Sequence, residues 1–190
     1  MSNGVLGRSL YEVRACVEAA RACVDESKIA EYKKGIAKEE AKRRLFSQIK
    51  DCGGRIIIIS KDGKEGYINK NSARKLVDSI RGSTIKNDFT AEQHYAAAAD
   101  IVNLYKNSIQ VLEHPDHKGR SRIESIDRFV APLYGDNYAF ITGKVIENEG
   151  RKIHSLELTE IGKLEGTIDR AKNPHILATN NPTINIENDF

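Results

Sequence analysis

Arg128, Thr142 and Lys144 stand in two consecutive strand-like stretches, "SIDRFVAPLY" and "NYAFITGKVIEN", at positions a plain sheet gives to apolar residues. Alternate strand residues share a face. Tyr138, Phe140, Thr142, Lys144 and Ile146 therefore fall on one side of the second stretch, and the small set Ala139, Ile141, Gly143 and Val145 on the other. The small set suits packing against a helix. The first set reads as an open face on which two aromatics lie beside a hydroxyl and an ammonium, the mixture that stacks bases and holds a phosphate. Arg128 on the preceding stretch adds a cation able to bind bidentately. The same row also reads as a solvated sheet face in which Lys and Arg stems cover apolar rings. His94 opens an Ala-rich helical stretch and shares a face with Ala97, Ala98, Ile101 and Tyr105. Such a His is often a packed core residue, yet its ordinary pKa of about 6.5 also suits proton transfer near neutral pH. With Arg128 and Lys144 stabilising a pentacovalent phosphate and His94 moving a proton, the chemistry would be that of a metal-independent ribonuclease.

Other chemistries find less support. "HPDH", His114 to His117, offers two imidazoles and a carboxylate, but three candidate ligands in one short Pro-containing loop read as a polar turn, and no metal is assigned. Neither GxxxxGK[ST] nor GxGxxG occurs, nor a GxSxG elbow, so no cofactor is expected. Cys16, Cys23 and Cys52 are odd in number and form no CxxC pair, which predicts reduced thiols and a cytoplasmic setting. Cys16 and Cys23, seven residues apart beside an apolar stripe, read as buried fillers.

The elements that must position these residues follow from periodicity. Leu10, Val13, Val17, Ala20 and Val24 predict one amphipathic helix from Arg8 to about Ala30. "IAKEEAKRRLFSQIKD" predicts a second helix, with Ala41, Leu45 and Ile49 inward and a basic outer face. "RIIIIS" and "EGYIN" flank an Asp-Gly turn, the signature of a hairpin. A short helix through about Ile80 follows, capped by Asn71 and Ser72, and then Thr90 with Gln93 begins a long helix with a capping box. "EHPDHKGRSR" is a basic polar loop leading into a three-stranded meander. Helices run together and strands run together, so the class is α+β: N-terminal helices, then a small antiparallel sheet made of a hairpin and a meander. The expected divisions are a helical region over 1–52, an α+β domain over 53–165 and an extended or disordered tail over 166–190. At 190 residues the chain suits one well-filled domain, and its net charge of +3 permits nucleic-acid contact without requiring it. The longest apolar run, Ile56 to Ile59, is strand-sized, so no membrane span is expected.

The stretches "GYINKNSARKLVDS", "TAEQHYAAAADIVNLYKNS", "HPD", "IESIDRFVAPL" and "YAFITGKVIENEGRKIHSLELTEI" together resemble the nuclease-like domain of large polyvalent proteins from phages and conjugative elements. Those domains are grouped with the barnase, EndoU, colicin and RelE-like endoribonucleases. The likeness covers about Arg55 to Ile161. It matches a Lys in the short helix (Lys75), a His opening the long helix (His94), an Arg before the aromatic of the first long strand (Arg128), and Thr-x-Lys in the next (Thr142, Lys144). The family's Tyr and small polar residue in the last strand become His154 and Ser155 here. The resemblance implies helices packed on one face of the sheet, RNA (tRNA or another structured RNA) as substrate, and attack by the ribose 2′-hydroxyl without a metal. Under it His94, Arg128, Thr142, Lys144 and Ser155 form the catalytic set, and Lys75, Tyr138 and Phe140 contact RNA. A free-standing copy suits a toxin or an effector against host defence. The alternative is a catalytically inactive phage-encoded interaction protein that blocks a host enzyme or defence complex. The N-terminal helix would then supply a docking or homodimer surface.

Overall fold

The computed structural model describes residues 6–7, 9–21, 24–78, 80, 89–116, 120, 122–148 and 151–164; of Leu6, Gly7, Leu10, 147–148 and 151–155 it describes the backbone alone. The elements run β1 (Leu6–Gly7), α1 (Leu10–Arg21), α2 (Glu26–Lys34), α3 (Lys38–Asp51), β2 (Arg55–Ile59), β3 (Glu65–Asn69), α4 (Lys70–Asp78), α5 (Ala91–Ala99), α6 (Ile101–Lys106), β4 (Ile109–Pro115), β5 (Ser125–Tyr134), β6 (Asn137–Asn148) and β7 (Arg151–Lys163). The class is α+β. The described strands form one sheet in the order β1-β4-β5-β6-β7-β3-β2. All neighbouring pairs are antiparallel except β3 and β7, so the hairpin joins the meander through a parallel contact.

The expected first helix is two helices. Asp25 stops the run by capping α2, its side chain accepting from the Ser27 amide, a local alternative to helical pairing that Asp adopts readily. Gly35, at φ 76°, ends α2. A Cβ there would lie 2.6 Å from Glu92, because the α2–α3 turn is tied to the start of α5 through Ile36 N–H donating to Glu92 O and Gln93 Nε2 donating to Lys33 O. The Thr90/Gln93 capping box is present. The cap of α4 is Asn69, whose Oδ1 accepts from the Asn71 and Ser72 amides, two residues before the expected Asn71.

The expected long helix breaks at Asp100 and ends at Lys106, and "IQVLEHP", assigned to the helix end and the loop, is strand β4. Its β-branched residues, Ile109 and Val111, fit a half-buried pleat against β5 better than a helix surface. Asp100 breaks the helix because its carboxylate is engaged sideways: Tyr32 Oη and Asn103 Nδ2 donate to it, and Lys28 Nζ lies 3.5 Å away.

Two apolar clusters lie on opposite faces of the sheet. The larger unites α2 to α6 (Tyr32, Leu45, Leu76, Ala97, Tyr105) with Phe129, Ala131, Ile141, Leu156 and Ile161. The smaller packs Val13 and Val17 of α1 on Ile109, Val130, Tyr138 and Phe140. Helices therefore cover both faces, the second only in part. Cys16 is partly buried beside the smaller cluster and Cys52 is exposed; Cys23, His117 and the region 165–190 lie outside the described residues. Among the described residues no helix is long and apolar enough to cross a membrane.

Candidate nucleic-acid interface

The alternation of β6 is as expected: Ala139 and Ile141 point to the larger core, and Tyr138, Phe140, Thr142 and Lys144 to the other face. That face is not open along its length. Tyr138 and Phe140 are 5% and 7% exposed, because α1 lies on them. Arg21 stacks 5.1 Å over the Tyr138 ring, and its Nη2 donates to Tyr138 Oη at 2.5 Å. A base-stacking role for these two aromatics is incompatible with that cover. Val13, Val17 and Ala20 of the apolar stripe of α1 are at most 1% exposed, so these three residues are buried within the chain rather than presented to a second copy.

Beyond the end of α1 the face opens. Register places Arg128 opposite Thr142, Thr142 opposite Glu157, and Lys144 opposite Ser155. Arg128 Nη1 donates to Thr142 Oγ1, which shares a 2.5 Å hydrogen bond with Thr159 Oγ1. Lys144 Nζ pairs with Glu157. Arg128 is half-buried and has no carboxylate in hydrogen-bond contact among the described residues. Burial pushes its guanidinium below its ordinary value, and the charge of Glu157 offsets that in part.

Next to this row lies a cavity of about 460 Å³ lined by Lys75, Arg120, Arg122, Ile123, Lys144, Ile146 and Glu157. Four cations thus face one carboxylate. Of these, Arg120 is held bidentately by Asp116 and Lys144 by Glu157, leaving Lys75 and Arg122 without an ion pair among the described residues. By contrast the basic face of α3 is neutralised: Arg43 and Arg44 pair with Glu40, Arg44 also with Glu31, and Lys42 with Asp78. It is an ion-paired helix surface.

The structure therefore brings Lys75 of α4 near Arg128, Thr142 and Lys144 of the adjacent strands β5 and β6. Ser155 is placed in the same row by its backbone, its side chain being outside the described residues. His94 does not join them. It is 2% exposed, edge-on to Phe89 with ring centroids 6.5 Å apart, and it is not among the residues lining the cavity. Its Nε2 is buried without a hydrogen-bond partner among the described residues, and burial lowers its pKa, as expected of a neutral imidazole in a core. Arg120, Arg122 and Glu157 were missed as site residues. The first two lay in the loop recognised as basic, and Glu157 was readable only through the β6–β7 register. Among the described residues no group of His, Cys, Asp and Glu could hold a metal, and His114 Nδ1 lies 2.9 Å from Pro115 O.

A family model described as Large polyvalent protein-associated domain 3 matches residues 34–154. The matched segment contains Lys75, Arg120, Arg122, Arg128, Thr142 and Lys144; α1 precedes it, and Glu157 follows it. No curated protein matches the chain, and no solved structure does.

Proposed function

We propose, for a chain that belongs to the large polyvalent protein-associated domain 3 family, that the cationic cavity binds the phosphate backbone of RNA and cleaves it without a metal. The observation that carries the reading is Arg128: a half-buried guanidinium without a bound carboxylate among the described residues, next to a cavity lined by four cations and Glu157, with Asp116 bound to one of the four. Burying a cation is costly unless an anion compensates it. A phosphate supplies that anion and accepts bidentately from an arginine.

In this reading Arg128 and Lys144 hold the scissile phosphate, while Lys75, Arg120 and Arg122 hold its neighbours. Thr142 and Thr159 fix the guanidinium. When the phosphate takes Lys144, Glu157 is released and becomes the proton acceptor, a role that the burial of His94 denies to the imidazole. The 2′-hydroxyl gives its proton to Glu157 as the O2′–P bond forms. The P–O5′ bond breaks, and the departing oxygen takes a proton from water. The products are a 2′,3′-cyclic phosphate and a 5′-hydroxyl, and Glu157 returns its proton to solvent.

The test is end-labelled structured RNA incubated in EDTA with wild-type protein, Glu157→Gln and Arg128→Ala, with affinity measured in parallel against salt. Cyclic-phosphate products should fall by roughly 10² to 10⁴ in Glu157→Gln, the range for loss of a general base, with affinity retained. Arg128→Ala should weaken binding and flatten its salt dependence. Binding without cleavage by the wild type would remove the chemistry and keep the interface. Neither binding nor cleavage would overturn both.

A further inference from the structure

The two edges of the sheet are built differently. At one, β1 spans two residues among those described, and a very short edge strand offers little template for pairing. At the other, β2 presents the unbroken run Arg55–Ile59, and its pairing with β3 shows no bulge. Between Arg55 and Ile59 there is no Pro or acidic residue, and the one charged side chain is Arg55 at the start of the run; past its other end the Lys61 amide donates to Ser108 O, so the pairing edge is confined to these five residues. Ile57 and Ile59 are 51% and 60% exposed; with Tyr11 they are the exposed large hydrophobics among the described residues. Ile56 and Ile58 are buried in the larger core, which holds the strand in place.

We propose that β2 pairs antiparallel with β2 of a second copy of this chain, in a register centred on Ile57. Residues directly opposite in an antiparallel pair share a face, and a one-residue slip would set exposed Ile57 against buried Ile58. Registers centred on a residue, rather than between two residues, keep the two exposed rows together. Centring on Ile57 uses all five residues, with Arg55 facing the partner's Ile59 and Ile57 facing itself. The contact is isologous, as a two-fold axis requires. It joins Ile57 of both copies into one cross-strand apolar row, extended by Tyr67, which pairs with Ile57 from β3, and flanked by Ile59 of each copy.

Charge favours this register. Glu65 pairs with Ile59 in β3, so it lies two strands, about 10 Å, from the other copy's Arg55, within the combined reach of the two side chains. In one chain Arg55 stacks 5.7 Å from the Tyr67 ring, and neither it nor Glu65 has an ion pair among the described residues. A five-residue ladder is a small interface, so association in the micromolar range is expected. The proposal does not depend on RNA cleavage.

Sedimentation equilibrium of the whole chain should show the mass rising from 21.2 kDa to a plateau at twice that value across micromolar concentrations. Amides of β2 should gain hydrogen-exchange protection over the same range. Ile57→Lys sets like charges opposite each other on the axis, at a site already half exposed, and should hold the chain monomeric with unchanged circular dichroism. Arg55→Glu and Glu65→Arg should each weaken the dimer, and the double variant should restore it. A monomer at every concentration overturns the proposal, as does a dimer that Ile57→Lys leaves intact. Growth beyond a dimer overturns the two-fold pairing.

Discussion

One strand of this sheet carries two fates in a single row of side chains. Tyr138 and Phe140 at one end of β6 are core under α1, while Lys144, four residues beyond Phe140 on the same face, lines an open cavity. The alternation that assigns both ends to one face is local and period two. What separates them is the length of α1. Arg128 sits at the border, opposite Thr142, where cover gives way to solvent. Its half-burial is a consequence of that border. The teaching is that strand pattern selects a face, and a distant helix decides how much of the face is available for chemistry.

The contrast predicts that damage at the covered end is structural. Phe140→Ala should lower unfolding free energy by about 3–5 kcal/mol, the usual cost of a truncated core aromatic, read by urea denaturation. Below the unfolding transition its RNA affinity should match that of wild type. A large loss of affinity in the folded variant would break the division, because it would mean that the row acts as one surface.

His94 sharpens the comparison from the other face. Burial depresses its pKa below 6.5, so the unfolded chain binds more protons than the folded one as pH falls through that value. Its contribution to stability is therefore complete above the unfolded pKa and declines as pH drops below it toward the folded value. The midpoint of thermal unfolding should fall between pH 7.5 and 5.5 in wild type and fall less in His94→Leu. The proposed RNA cleavage should be the same in the folded variant as in wild type, whereas its loss with full stability would return the imidazole to the site.

Much of this arrangement was legible in the residues. The α+β class, the Asp-Gly hairpin, the capping box at Thr90 and the alternation of β6 rest on local signals, which sequence carries directly. The break at Asp100 was hidden because Ala96 to Ala99 favour helix without interruption, and the partners that engage its carboxylate, Tyr32 and Lys28, come from α2. Strand β4 was hidden because Val111 and Leu112 continue a helical spacing. For the candidate site, Arg128, Thr142 and Lys144 were singled out by type and spacing, and Lys75 by the family resemblance. Glu157 was not, since it is one of two carboxylates in β7, with Glu160, until the register sets it opposite Thr142. Nothing local told that α1 would lie on Tyr138 and Phe140 rather than against a second chain. An amphipathic stripe states that it is buried, not against what.

The smallest effect tests what holds α1 at the border. Tyr138 Oη accepts from Arg21 and donates to Glu18 at 3.2 Å, and the same Arg21 donates to the Gly135 carbonyl in the β5–β6 turn. Tyr138→Phe keeps the buried ring and removes the hydroxyl alone. Because Glu18 and Arg21 also bind each other and reach solvent, the loss should be about 1 kcal/mol, the net value of a typical hydrogen bond, read by urea denaturation. If α1 is seated mainly by Val13 and Val17, amide exchange in α1 should quicken only slightly in this variant, and access to Arg128 should stay as it was. If the hydroxyl is instead the latch, α1 should exchange as freely as an unpacked helix. RNA affinity should then rise as the aromatic end of β6 joins the cationic one, and the boundary between core and site would be a movable one.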